Sequence, residues 1–206
     1  MNTPTVFVVD DEPSIRTSLR LLLESKGLAV QTYASGEEFL AQLDPLRPGC
    51  IVLDLRMSEM SGLEVQKELA RRNCRLPHLF LSAFGDIPTT VDVIKAGAED
   101  FLTKPPNPDV LIERIQSLLR QSQQDYSLRL EQASVLERFH LLSPREQQIL
   151  QRALEGMSNK EIAQQLSLSP RTVENNRLRM IKKLGTQNLL EFSHQAVSCG
   201  IDLNKL

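Results

Sequence analysis

Four short apolar runs in this chain each stop at a polar residue able to do chemistry. Val6–Val9 ends at Asp10 and Asp11, Ile51–Leu53 at Asp54, Leu79–Leu81 at Ser82, and Phe101–Thr103 at Lys104. Each run is followed by a helical pattern. After Val6–Val9, Pro13 suits the first turn of a helix, and Ile15, Leu19, Leu22 and Leu23 recur at helical intervals until Gly27 supplies the stop. The same succession repeats with Ala29–Tyr33 before Ser35–Leu43, and with Cys50–Leu53 before Gly62–Arg72. His78–Leu81 then precedes Ile87–Ala96, and Asp100–Thr103 precedes a helix from near Pro108. Five such units predict an α/β domain, a doubly wound parallel sheet with helices on both faces, because crossovers between parallel strands share one hand.

Val6–Val9 and Ile51–Leu53 are nearly all apolar, as strands buried on both faces are. The flavodoxin-like order 2-1-3-4-5 sets them side by side and puts its switch point between them. Ligand sites of open parallel sheets lie beyond the carboxyl ends of the strands. Asp10, Asp11 and Asp54 are therefore expected to meet there, with Ser82 and Lys104 at neighbouring strand ends.

Three carboxylates in one pocket repel, and a raised pKa or a bound cation resolves the repulsion. Magnesium (or manganese) takes oxygen ligands and keeps several waters, so two carboxylates and a backbone carbonyl make a partial shell. The expected ligands are Asp11, Asp54 and the Arg56 carbonyl, with Asp10 acting through water. Asp54 stands at the centre, and an aspartate can act as a nucleophile that forms an aspartyl phosphate. The charge added there needs donors, which Lys104 and the Ser82 hydroxyl supply. Lys104 precedes Pro105, and X-Pro bonds are the ones that adopt cis readily. Taken singly, each residue has a blander reading. Asp10 or Asp11 is a helix cap, Ser82 a turn residue, Lys104 a solvated charge and Phe101 core. Their joint placement at strand ends favours the phosphoryl-acceptor site.

The segments Val8-Val-Asp10-Asp11-Glu, Leu53-Asp54-Leu-Arg-Met, Leu81-Ser82-Ala and Phe101-Leu-Thr-Lys104-Pro105 resemble the CheY-like receiver domain of two-component response regulators through about residue 120. The resemblance implies that a sensor histidine kinase phosphorylates Asp54 and that Ser82 and Phe101 form a switch pair. Receivers of this kind usually carry a proline four residues after the acceptor, where this chain has Ser58. That departure bears on the shape of the loop and on the rate of phosphate loss.

No Gly or Pro interrupts residues 109–142, and Val110, Leu111, Ile115, Leu118 and Leu119 keep helical spacing. Two readings stay open for residues 121–139: a helix continuing from the receiver, or a helix ending near Arg120 followed by a flexible linker. The run Gln121–Gln124 reads as too polar for a core. Beyond it, Ser143-Pro144-Arg145-Glu146 has the cap, first-turn proline and N3 glutamate of a helix start. Ser158–Leu166 is a second short helix, and a third runs from Pro170 or Arg171 to Leu184 before Gly185. Two short helices around a tight turn predict a helix-turn-helix whose second member lies in the major groove.

Leu142-Ser-Pro-Arg-Glu, Ser158-Asn-Lys-Glu-Ile-Ala, Leu168-Ser-Pro-Arg-Thr-Val-Glu174 and Lys183-Leu-Gly185 resemble the DNA-binding domains of the FixJ/NarL (LuxR-type) family. The resemblance implies a four-helix unit, its fourth helix near Leu189–Ser198 serving dimer contacts. Histidine is common two positions after the glutamate, where this chain has Asn176. Glu174, Asn175 and Leu178 can share the groove-facing side, with Asn175 suited to an adenine edge and Glu174 to cytosine N4. Lys160, Arg171, Thr172, Arg177, Arg179, Lys182 and Lys183 are candidates for phosphate contacts.

Charge divides as these roles require. Residues 1–120 carry 13 Lys+Arg against 17 Asp+Glu, a balance of −4, and residues 139–206 carry 9 against 6, a balance of +3. An acidic part suits a cation and a basic part an anionic polymer. Cys50, Cys74 and Cys199 are odd in number and widely spaced, which argues against a disulfide framework or zinc site. No apolar run approaches the roughly 20 residues of a membrane span, and Met1–Pro4 lacks the regions of a signal peptide, so a cytoplasmic protein with no membrane partner is expected.

The expected organisation is a receiver at 1–120, a connector at 121–139 and a helix-turn-helix domain at 140–206. The expected function is transcription regulation by a protein that is not an enzyme. Phosphorylation favours a homodimer that binds a double-stranded operator and acts on RNA polymerase. Two rivals stand beside it. A regulator that binds DNA without phosphorylation keeps the same second domain. A magnesium-dependent phosphatase of the haloacid-dehalogenase type places two aspartates two positions apart on one strand, whereas here Leu55 and Arg56 follow Asp54.

Overall fold

The computed structural model describes residues 3–83, 91, 94, 95, 97–203, 205 and 206. It divides into two compact units, Met1–Tyr126 and Ser127–Leu206.

The first unit is a five-stranded parallel sheet in the order β2-β1-β3-β4-β5, built from β1 (Thr5–Val9), β2 (Ala29–Tyr33), β3 (Gly49–Leu53), β4 (His78–Ser82) and β5 (Asp100–Thr103). Helices α1 (Pro13–Ser25), α2 (Gly36–Gln42) and α3 (Gly62–Arg71) and the first turns of α4 (Pro108–His140) accompany it. The helix expected over Ile87–Ala96 falls largely outside the described residues. Strand side chains alternate between faces, and the two faces build separate cores. Phe7, Val9, Ile51, Leu53 and Phe80 pack with Phe39 and Leu40 of α2 and Val65 and Leu69 of α3. Val6, Val8, Cys50, Val52, Leu79 and Leu81 pack with Leu19 and Leu23 of α1 and Leu111, Ile115 and Leu118 of α4. All residues of β1 and β3 are buried, which is why the sequence shows no alternation there.

One expectation fails. The stretch 121–124 is not wholly solvated, because Ser122 is 2% exposed and its Oγ accepts the Gly49 amide at 3.0 Å. A serine can be buried when its hydroxyl meets an otherwise unpaired backbone donor. Gly49 itself leaves no room for a side chain: a Cβ there would meet the Thr5 carbonyl oxygen and the Phe7 ring. Gly49→Ala is therefore expected to destabilise the first unit by about 1–3 kcal/mol, read from urea denaturation of the full chain. An unchanged midpoint would mean that the backbone at the start of β3 yields freely.

In the second unit, α5 (Pro144–Leu154), α6 (Asn159–Leu166), α7 (Pro170–Leu184) and α8 (Leu189–Ser198) surround one core. Ile149, Leu150, Ile162, Val173, Met180, Leu184 and Phe192 fill it, together with Val135 and Phe139 from the end of α4. Local sequence sets each boundary. Ser143 with Glu146 and Ser158 with Glu161 form complete capping boxes, and Ser169 and Asn188 cap α7 and α8. Ser167 (φ 54°) and Gly185 (φ 61°) end α6 and α7 in the left-handed region.

Candidate functional site

Strand register assembles the acidic pocket. Val9 pairs with Leu53 across β1 and β3, so Asp10 and Asp54 leave the sheet side by side. The Asp54 amide donates to the Val9 carbonyl at 2.8 Å. Ser82 pairs with Thr103 across β4 and β5, and the amide of the next residue, Lys104, donates to the Ser82 carbonyl at 2.9 Å. The Lys104–Pro105 peptide bond is cis. Lys104 Nζ then lies 2.6 Å from Asp10 Oδ2 and 3.3 Å from Asp54 Oδ1, with all three side chains nearly buried.

Asp10, Asp11 and Asp54 each offer a carboxylate oxygen, and these oxygens lie within 4.8 Å of one another. Burial pushes the Asp54 carboxyl above its ordinary pKa; Lys104 pulls it back in part, while the charge on Asp10 adds to the rise. Burial also works against the charge on Lys104, but its bond to Asp10 and the charge of Asp54 outweigh it and hold the amine above its usual pKa. Neither Asp10 nor Asp11 is the cap of α1, whose N-cap is Glu12 without a side-chain bond. Asp10 Oδ1 accepts the Glu12 amide at 2.9 Å, and Arg16 donates to the Asp10 carbonyl at 2.6 Å. Asp11 Oδ2 accepts the Ser58 amide at 2.9 Å.

The remaining expected residues lie close by in the fold. Ser82 is buried at the end of β4. Phe101 is half-buried on β5, packed against the core that contains Phe80. Arg56 is exposed in the loop between β3 and α3. That loop is closed at its base by the Gly62 amide, which donates to the Leu55 carbonyl at 3.1 Å.

Along α7 of the second unit, Val173, Met180 and Leu184 are buried, while Arg171, Glu174, Asn175, Leu178, Arg179 and Lys182 are exposed. Leu178 is 57% exposed although apolar, so the exposed face of α7 carries an apolar side chain among its polar ones. Lys160 is exposed near the start of α6. The Thr172 hydroxyl shares a hydrogen bond with Ser169 at 2.8 Å.

Two residues counted among the phosphate-contact candidates are engaged inside the unit. Arg177 donates to Asn159 Oδ1 at 2.7 Å and ties α7 to α6. Lys183 Nζ lies 2.6 Å from the nearly buried Glu146 carboxylate and ties α7 to α5. Burial alone would raise the Glu146 pKa, but its bonds to Lys183 and Ser143 hold it below the usual range. Sequence pattern marked Glu146 as a capping residue and carried no sign of this second partner, 37 residues away.

Comparison with known proteins agrees with both halves. Residues 6–116 match the response regulator receiver domain family, and residues 140–196 match the bacterial regulatory proteins of the luxR family. The chain belongs to the response regulators. This regulator is 41% identical over 193 residues to the transcriptional regulatory protein TdiR of Thauera aromatica, covering 94% of this chain and 85% of that protein. It is 39% identical over 196 residues to FixJ of Azorhizobium caulinodans, covering 95% and 93%. Among solved structures, the response regulator StyR is similar with a TM-score of 0.89 at 39% identity, covering 95% of this chain and 99% of that one. This response regulator thus joins a CheY-like receiver to a LuxR-type DNA-binding domain, as FixJ-like transcriptional regulators do. Among its described residues, no helix is long and apolar enough to cross a membrane.

Proposed function

We propose that phosphorylation of Asp54 by a sensor histidine kinase switches this regulator. An Asp54 carboxylate oxygen attacks the phosphorus of the kinase phosphohistidine; the O–P bond forms as the N–P bond breaks and the imidazole leaves. The observation that carries this reading is Lys104, whose amine bridges Asp10 and Asp54 from the end of β5. It is positioned to pass from the carboxylates to a phosphoryl oxygen on Asp54.

The three carboxylates suit a small hard cation, since all offer oxygens within 4.8 Å of one another. Asp11, Asp54 and the Arg56 carbonyl would hold magnesium (or manganese), with Asp10 acting through water. When bound, the metal neutralises charge on the transferring group. The Ser82 hydroxyl turns to the new phosphoryl oxygens and Phe101 moves inward behind it. The change alters the face formed by β5 and the first turns of α4 and favours a homodimer. The aspartyl phosphate is a signal here, and the protein is not an enzyme.

In the dimer, two helix-turn-helix units bind half-sites spaced by about one helical turn or a multiple of it, and act on RNA polymerase in the cytoplasm. Residues 1–120 receive the signal, 121–139 connect and 140–206 read DNA, through the exposed face of α7 with Lys160 and Thr172 beside it. Incubating the full chain with magnesium and acetyl phosphate is expected to add one phosphoryl group by intact mass and to shift the solution molecular weight toward a dimer. An unchanged mass would overturn the switch in favour of a regulator that binds DNA without phosphorylation.

A further inference from the structure

We propose that the backbone amide of Ser58 is a positioning element of the metal pocket, holding Asp11 in place before the cation arrives. The inference rests on the metal reading above and concerns how this chain builds that site. Lys104 compensates Asp10 and Asp54 directly. Asp11 has no ion pair among the described residues, and its carboxylate is held through Oδ2 by the Ser58 N–H at 2.9 Å. Repulsion from the other two carboxylates favours a rotation of Asp11 out toward water. A hydrogen bond to a charged acceptor opposes that rotation, and it leaves the second oxygen, Oδ1, for a cation.

The donor is itself fixed. Met57 and Met60, on either side of Ser58, pack against the core beneath α3. Gly62 closes the loop onto Leu55, and the capping box of Ser61 and Glu64 anchors its far end. An amide on so constrained a loop restrains Asp11 with little further loss of freedom on binding. The side chain of residue 58 is immaterial to this role, provided that the residue has an N–H. Proline has none.

The test is calorimetric titration of the full chain with magnesium alone, for wild type, Ser58→Ala and Ser58→Pro. Ser58→Ala keeps the amide and is expected to bind as wild type does. Ser58→Pro is expected to bind about tenfold more weakly. Phosphoryl uptake from acetyl phosphate should then need about tenfold more magnesium in Ser58→Pro and reach the wild-type extent at saturation, a split that general damage to the pocket would not give. Equal affinities in all three proteins would overturn the inference and leave the metal reading standing. Weakening in Ser58→Ala as well would place the effect in the hydroxyl and overturn it too. Absence of saturable binding to wild type would remove the metal reading and the inference together. Should Ser58→Pro fail to fold, amide exchange decides: the Ser58 N–H of metal-free wild type should exchange more slowly than in Asp11→Ala, and equal rates would overturn the proposal.

Discussion

Replacing Asp54 by asparagine is expected to abolish phosphoryl uptake while making the first unit more stable. The chemical loss follows because an amide oxygen is too weak a nucleophile to replace the carboxylate, so intact mass after acetyl phosphate treatment should show no gain. The gain in stability follows from the direction of the Asp54 pKa. Burial and the neighbouring charge of Asp10 outweigh the help from Lys104, so folding raises this pKa. A carboxylate whose folded pKa lies above its unfolded value costs stability wherever it is charged in both states. At neutral pH that cost is fully present in wild type and absent from Asp54→Asn. As pH falls through the raised pKa the folded wild type takes up a proton and the cost recedes; below the ordinary value of 3.8 it is gone. Lys104 is also bonded to Asp10, at 2.6 Å, so the amine is not left without a partner when Asp54 is replaced. Thermal denaturation at several pH values should show the variant melting higher at pH 7.5, with the gap closing on acidification. A variant that melts lower at neutral pH would show that attraction to Lys104 dominates, and one that still gains a phosphoryl group would move the acceptor elsewhere.

The pocket was legible in the sequence because its parts sit at strand ends, where a pattern of period two or a continuous apolar run stops. Asp10, Asp54, Ser82 and Lys104 each follow such a run, and parallel register then carries them to one end of the sheet. Pattern fails where a partner is distant and the residue is locally unremarked. Ser122 lies among glutamines, and only the fold brings it to the amide of Gly49, 73 residues away. Arg177 falls in line with the buried Val173 and Met180, at i+4 and i−3, so its spacing marks the inner side of α7, but nothing in the sequence names Asn159 as its partner or Glu146 as that of Lys183. The Ser58 amide is harder still. A backbone donor leaves no mark in a sequence beyond the fact that its residue is not proline, and the departure was visible there without its consequence.

On the proposed reading, the exposed face of α7 divides into contacts that specify and contacts that position, and substitutions should separate them. Asn175 is exposed, one turn from Arg171 and Arg179, on the face opposite Val173 and Met180. An asparagine that bonds an adenine edge with both its groups contributes about 1–3 kcal/mol of discrimination. A symmetric dimer uses the contact twice, about 2–6 kcal/mol in all, so Asn175→Ala is expected to weaken binding to an operator selected from random DNA by roughly 30-fold to 10⁴-fold, with base preference relaxed at one position in each half-site. Arg171→Ala should instead weaken all sequences alike and reduce the salt dependence, each lost phosphate contact lowering the slope of log affinity against log salt by about 0.9. Lys183→Ala should leave that slope unchanged, because Lys183 pairs with Glu146; its effect should appear as a lower melting temperature of the second unit, whose nearly buried carboxylate loses its partner. Anisotropy titrations at salt concentrations from about 50 to 200 mM distinguish the three. If Asn175→Ala lowered the salt slope and kept base preference, its side chain would be a phosphate contact, and sequence reading would have to pass to Glu174 and Leu178, the exposed neighbours on the same face.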